Sequence, residues 1–161
     1  MSKSTRREAL FTIAASAAIA QTKQLTPDEA KLVAALVDLI IPRTDTPGAV
    51  DAGVPQLIDS RLAANAGLAE RFRQGLKSLD DEAARVAGTS FLKLSAASQI
   101  EFLTPVSQDP STPSGAFFKL IKGLTVDCYY TSKVGLTQEL GWHGNTFLSE
   151  FEGCTHPEHQ A

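Results

Sequence analysis

Apolar positions along the chain recur at helical spacing in five stretches, and no alternating pattern of useful length appears. Leu32, Val33, Leu36, Val37, Ile40 and Ile41 form the first stripe. Thr26 offers a cap, Pro27 suits the first turn, Glu29 completes a capping box, and Pro42 stops the run. A loop follows from Pro42 to Pro55, with turns set by Gly48 and Gly53 and by its prolines. Val54, Leu57, Ile58 and Leu62 open a second, shorter helix. A third is expected over about 67–86, with Leu68, Phe72, Leu76, Leu79, Ala83 and Val86 inward and Gly88 as its stop. The fourth begins at Ser95, turns Ile100, Phe102 and Leu103 inward, and is closed by the region from Pro105 to Pro113. The fifth carries Phe117, Phe118, Leu120, Ile121, Leu124 and Cys128 on its apolar face. From Ser132 onward the period fades. The pattern predicts an all-α domain of about five helices, packed as a small bundle-like unit with an irregular C-terminal arm.

That arm concentrates the unusual chemistry. It holds all three histidines (His143, His156, His159), the single Trp142 and one of the two cysteines. Cys154, His156 and His159, with Glu158 and His143 nearby, are zinc-type ligands. Within one short strip they need a further ligand from far away, and Pro157 stiffens the strip between the histidines. Hydrogen-bonding roles in a packed tail or an interface fit these groups better. A Cys/His nucleophile pair lacks a third, orienting group. Cys128, on an apolar helical face, reads as a buried thiol. A disulfide would join Cys128 to Cys154 or Cys154 to a partner, and the sequence leaves both open. Asp45, Asp51, Asp59 and the run Asp80-Asp81-Glu82 lack calcium-loop spacing and read as turn formers and solvated faces.

The N-terminus changes the picture. Lys3, Arg6 and Arg7 precede a mildly apolar run from Ala9 that ends Ala18-Ile19-Ala20, a small-x-small cleavage pattern. The paired Arg6-Arg7 followed by Leu10-Phe11 looks like a twin-arginine signal. A short amphipathic helix is the competing reading. The expected division is a signal peptide over 1–20 and one domain over 21–161, working in the periplasm. A net charge of −3 provides no nucleic-acid footprint. No Cys-x-x-Cys-His, Gly-x-Gly-x-x-Gly or cysteine cluster is present in the sequence. A signal for export of folded cargo, on a chain without a cofactor motif, points to export alongside a cofactor-bearing partner.

The blocks Leu36-Val37-Asp38-Leu39-Ile40-Ile41-Pro42, Thr46-Pro47-Gly48-Ala49 and Ala52-Gly53-Val54-Pro55 resemble the opening of the gluconate 2-dehydrogenase subunit 3 family. Glu139-Leu140-Gly141-Trp142-His143-Gly144-Asn145 and Gly153-Cys154-Thr155-His156-Pro157-Glu158-His159 resemble its closing motifs. The resemblance implies a small, cofactor-free subunit of a periplasmic sugar or sugar-acid dehydrogenase, not catalytic by itself. It implies FAD in a glucose-methanol-choline-class catalytic partner and haem c in a multihaem cytochrome partner. It also implies a role in folding, assembly and twin-arginine export of the flavoprotein. On this reading Pro47 and Gly48 of the loop, with Trp142, Gly144, Asn145, Cys154, His156, Pro157 and His159 of the arm, form a docking surface. The alternative is a stand-alone periplasmic helical protein that binds a metal or ligand.

Overall fold

In a computed structural model of the chain, residues 23–142 and Gly144 are described. Five helices make up this part: α1 (Pro27–Ile40), α2 (Val54–Ala64), α3 (Ala66–Ala87), α4 (Ala96–Gln108) and α5 (Pro113–Thr131). A 3₁₀ turn at Phe91–Lys93 links α3 to α4, and a π-helical turn at Gly135–Glu139 follows α5. No strand occurs among the described residues. The all-α expectation holds.

Each helix starts where local chemistry satisfies the orphan N–H groups of its first turn. Thr26 Oγ1 accepts from Glu29 N at 3.3 Å while Thr26 N donates to Glu29 Oε2 at 2.8 Å, so the capping box is complete. Asn65 ends α2 and caps α3 through Leu68 N at 2.9 Å, which joins the two helices at one residue. Ser95 and Thr112 cap α4 and α5. Gly88, at φ +72°, ends α3 in the left-handed conformation favoured by glycine.

Helix α5 is the centre of the bundle and packs against each of the other four. Phe117 meets Phe72 of α3 edge-on, with ring centroids 5.2 Å apart. A Cβ on Gly75 would lie 2.2 Å from that Phe117 ring, so only glycine lets α5 approach α3 this closely. Leu36, Ile58, Leu62, Phe72, Leu79 and Ile121 are buried around it. Each such side chain contributes about 1.5–3 kcal/mol by leaving water.

The apolar stripes are corrected in detail. On α4, Ile100 is 56 % exposed, and the inward set is Phe102, Leu103 and Val106. Pro105 lies inside α4, which ends at Gln108, within the region from Pro105 to Pro113 expected to close it. The residue whose helical carbonyl loses its partner to Pro105 is Glu101, which is exposed, so water can replace the missing bond. Val86, expected inward, is exposed, and so is Leu57; Val54, Ile58 and Leu62 alone form the buried face of α2. On α5, Phe118, Leu120 and Leu124 are half-buried, whereas Thr125 and Tyr129 belong to the core. Thr125 is accommodated because its hydroxyl donates to Ile121 O at 2.8 Å.

The acidic residues also do more than solvate faces. Asp59 accepts from Gln24 N and Leu25 N, both at 2.9 Å, and so pins the segment that leads into α1. Asp80 accepts from Phe91 N at 2.8 Å and holds the 3₁₀ turn.

Candidate docking face

The loop between α1 and α2 is folded by its own backbone. Ala49 N donates back to Ile41 O at 2.9 Å, Val54 N to Ala49 O at 3.0 Å, and Ala52 N to Gly48 O at 3.0 Å. Gly48 and Ala49 are therefore buried although they lie in a loop. A Cβ on Gly48 would stand 2.7 Å from Arg43 N and 2.9 Å from the Pro42 carbonyl carbon, which excludes any other residue without a backbone shift. Asp51 closes the turn. One carboxylate oxygen accepts from Gly48 N at 3.0 Å, and the other pairs with the Arg43 guanidinium. That hydrogen bond to Arg43, aided by Gly48 N, holds the Asp51 carboxyl below the usual carboxylate range.

The start of the arm is not irregular, as its faded periodicity had implied; it is a wide helical turn. Ser132 Oγ donates to Tyr129 O at 2.7 Å and accepts from Gly135 N at 3.0 Å, which ends α5 and redirects the chain. Leu140 N donates to Gly135 O at 3.0 Å and Trp142 N to Leu136 O at 2.8 Å. Gly135 is obligatory here, since a Cβ would approach Tyr129 O to 2.0 Å. Gly141 (φ +62°) and Gly144 (φ +97°) both take the left-handed conformation that glycine tolerates.

Loop and turn meet. The Tyr129 hydroxyl donates to Pro47 O at 2.8 Å, and Thr46 Oγ1 donates to Glu139 Oε2 at 2.5 Å. Tyr129 is buried (1 %), whereas Leu140 at 58 % and Trp142 at 49 % stay exposed, as does Val50 of the loop. Trp142 is thus a large indole left half in water between two left-handed glycines.

Of the residues singled out from the sequence, Pro47 is half-buried, Gly48 buried, Trp142 exposed and Gly144 half-buried. Asn145, Cys154, His156, Pro157 and His159 lie outside the described residues, as do Arg6, Arg7, Ala18 and Ala20. Cys128 is buried, and burial is the main cause that pushes its thiol upward, opposed by the nearby Arg61 cation. Arg61 is itself paired with Asp127. Among the described residues no group of three or more His, Cys, Asp or Glu side chains is placed to hold a metal ion. Arg43, Thr46, Asp51, Ser132 and Glu139 build this face without having been singled out for it. Tyr129, read from the sequence with Tyr130 as core and arm packing, is buried as expected, four residues beyond Thr125 and eight beyond Ile121.

No curated protein and no solved structure matches the chain. The family model of gluconate 2-dehydrogenase subunit 3 matches residues 27–147. That span takes in the whole loop, the π-helical turn and Trp142, and it stops short of the strip from Gly153 to His159. The chain thus belongs to the gluconate 2-dehydrogenase subunit 3 family.

Proposed function

We propose that the chain is the small, cofactor-free subunit of a periplasmic FAD-dependent sugar or sugar-acid dehydrogenase. In this role it docks on a glucose-methanol-choline-class flavoprotein, assists its folding and assembly, and carries it through the twin-arginine route. A multihaem cytochrome c takes the electrons onward from the FAD of that partner. The observation that carries the reading is the convergence of two distant family blocks on one face. Thr46-Pro47 and Glu139 through Trp142 are joined by the Tyr129–Pro47 and Thr46–Glu139 hydrogen bonds, with Trp142 left half exposed. The basic, Ala-rich start with Arg6-Arg7 supports the export part.

Physically, the loop and turn form a pre-ordered platform, so docking on them loses little backbone entropy. Trp142 supplies the buried area, and the segment beyond it adds polar and thiol groups. Co-expression of the flavoprotein with a chain truncated after Leu140 tests the proposal. Loss of co-purification and of export is expected. Undiminished binding and export would sink it.

A further inference from the structure

Helix α5 is the centre of the bundle, yet one of its faces stays open. Ala116, Lys119, Gly123, Val126, Asp127 and Tyr130 are all exposed. They follow one another at helical spacing, so they form a single strip about 21 Å long. Gly123 stands at its middle. Gly75 and Gly115 are each required by a close neighbour, the Phe117 ring and Asp109 O. Gly123 is required by none, since no described atom lies within 4 Å of a Cβ built there. Glycine inside a helix costs about 1 kcal/mol relative to alanine. What it offers in return is close approach of a second backbone.

The strip is complementary to itself about Gly123. Lys119 lies four residues before Gly123 and Asp127 four after it, while Ala116 lies seven before and Tyr130 seven after. An antiparallel copy of α5 crossing at Gly123 therefore sets Lys119 against Asp127 and Tyr130 against Ala116, on both sides of the crossing. Lys119, Gly123 and Asp127 make an i±4 ridge, the row that interdigitates in the commonest class of helix packing. Lys119 has no ion-pair partner among the described residues. Arg61 Nη1 donates to one oxygen of Asp127, whose side chain stays 56 % exposed, so the carboxylate can still receive a lysine. Lys122, the neighbouring cation, lines the groove beside α4 instead.

We infer that this face of α5 is the contact between two copies of the chain, related by a two-fold axis at Gly123. The contact uses none of the residues proposed to dock the flavoprotein, so the two readings stand or fall separately. One helix strip falls short of the roughly 800 Å² per partner of a standard interface. The dimer is therefore weak and forms at high concentration.

Sedimentation velocity of the full chain over a wide concentration range tests this. A monomer–dimer equilibrium is expected. Lys119→Glu and Asp127→Lys should each weaken it roughly tenfold, because the symmetry reverses two exposed ion pairs at once. Mixing the two variants should restore dimers, since both cross-pairs are then attractive. Gly123→Leu should abolish them while leaving the monomer folded. Thermal unfolding at low concentration checks each variant, and if Asp127→Lys fails to fold, Lys119→Glu and Gly123→Leu still decide. A chain that stays monomeric throughout, or a dimer indifferent to Lys119→Glu or Gly123→Leu, overturns the inference.

Discussion

The hydroxyl of Tyr129 donates to the carbonyl of Pro47 at 2.8 Å across 82 positions of sequence. Through this bond the end of the central helix holds the loop that begins the family's signature. Tyr129→Phe keeps the ring but leaves the Pro47 carbonyl without its partner. A loss of about 1–3 kcal/mol is expected, the cost of an unsatisfied, partly buried acceptor. The midpoint of urea unfolding measures it. Amide exchange should accelerate from Thr46 to Gly53, whereas the α3 amides keep their protection.

Gly135→Ala drives a Cβ against Tyr129 O, where the gap is 2.0 Å. Backbone must shift, so a destabilisation above about 2 kcal/mol is expected, in the range of overpacked sites. Gly123→Ala, on the exposed side of α5 with nothing within 4 Å of the new Cβ, should instead stabilise by roughly 0.4–1 kcal/mol. Paired denaturation curves would decide the matter, and equal effects would show that the turn adapts.

Trp142→Ala separates docking from stability. At 49 % exposure the indole contributes little to the isolated fold, so the unfolding free energy should change by no more than about 0.5 kcal/mol. Affinity for the flavoprotein, measured by surface immobilisation or titration, should fall by about 2 kcal/mol or more if the ring is an interface anchor.

The Asp51 carboxyl titrates below its ordinary value because it is bonded to Arg43 and to Gly48 N. A carboxylate with a depressed folded pKa stabilises the protein above its unfolded pKa. That contribution is lost as pH falls through the folded pKa, in the acid region below about pH 4. Carboxyl-detected NMR should place the Asp51 midpoint below the ordinary aspartate value. Asp51→Asn should flatten the acid limb of the stability profile.

Cys128 has the opposite sign. Burial raises its thiol pKa, so the folded protein favours the protonated form. Its contribution to stability is present below the unfolded thiol value, near pH 8.5, and fades as pH rises through the raised one. Native Cys128 should resist iodoacetamide at pH 8 and react only in denaturant. Rapid alkylation at Cys128 itself in the folded chain, read by peptide mapping that separates it from Cys154, would contradict its burial.

Much of the fold was legible in residues that act locally. The Thr26–Glu29 capping box, the Gly88 stop and the stripe from Leu32 to Val37 depend only on neighbours a few positions away. Ile100 and Val86 misled because an apolar side chain at the right spacing is buried only if a partner helix faces it. The fourth helix ends at Gln108, inside the region from Pro105 to Pro113 expected to close it, and Pro105 is tolerated within its last turn because the carbonyl it frees, that of Glu101, is exposed. The docking face is less legible still. Thr46 and Glu139 are unremarkable polar residues, and nothing in either segment announces a partner 93 positions away. Its loop and arm were linked beforehand by family resemblance, whereas hydrophobic periodicity saw only a fading pattern after Ser132.

The wide turn at Gly135–Glu139 has a consequence for how the arm is aimed. An α-helix advances about 100° per residue, and a π-helical turn accommodates one extra residue in the same ladder. Deleting Thr137 would let the ladder close as an ordinary α-turn and rotate everything after it by about that angle. Trp142 would then face a different direction while its chemistry stayed the same. The arm's aim is thus indexed by a residue count, as a gear is by its teeth, and single-residue insertions or deletions here should act more severely than substitutions.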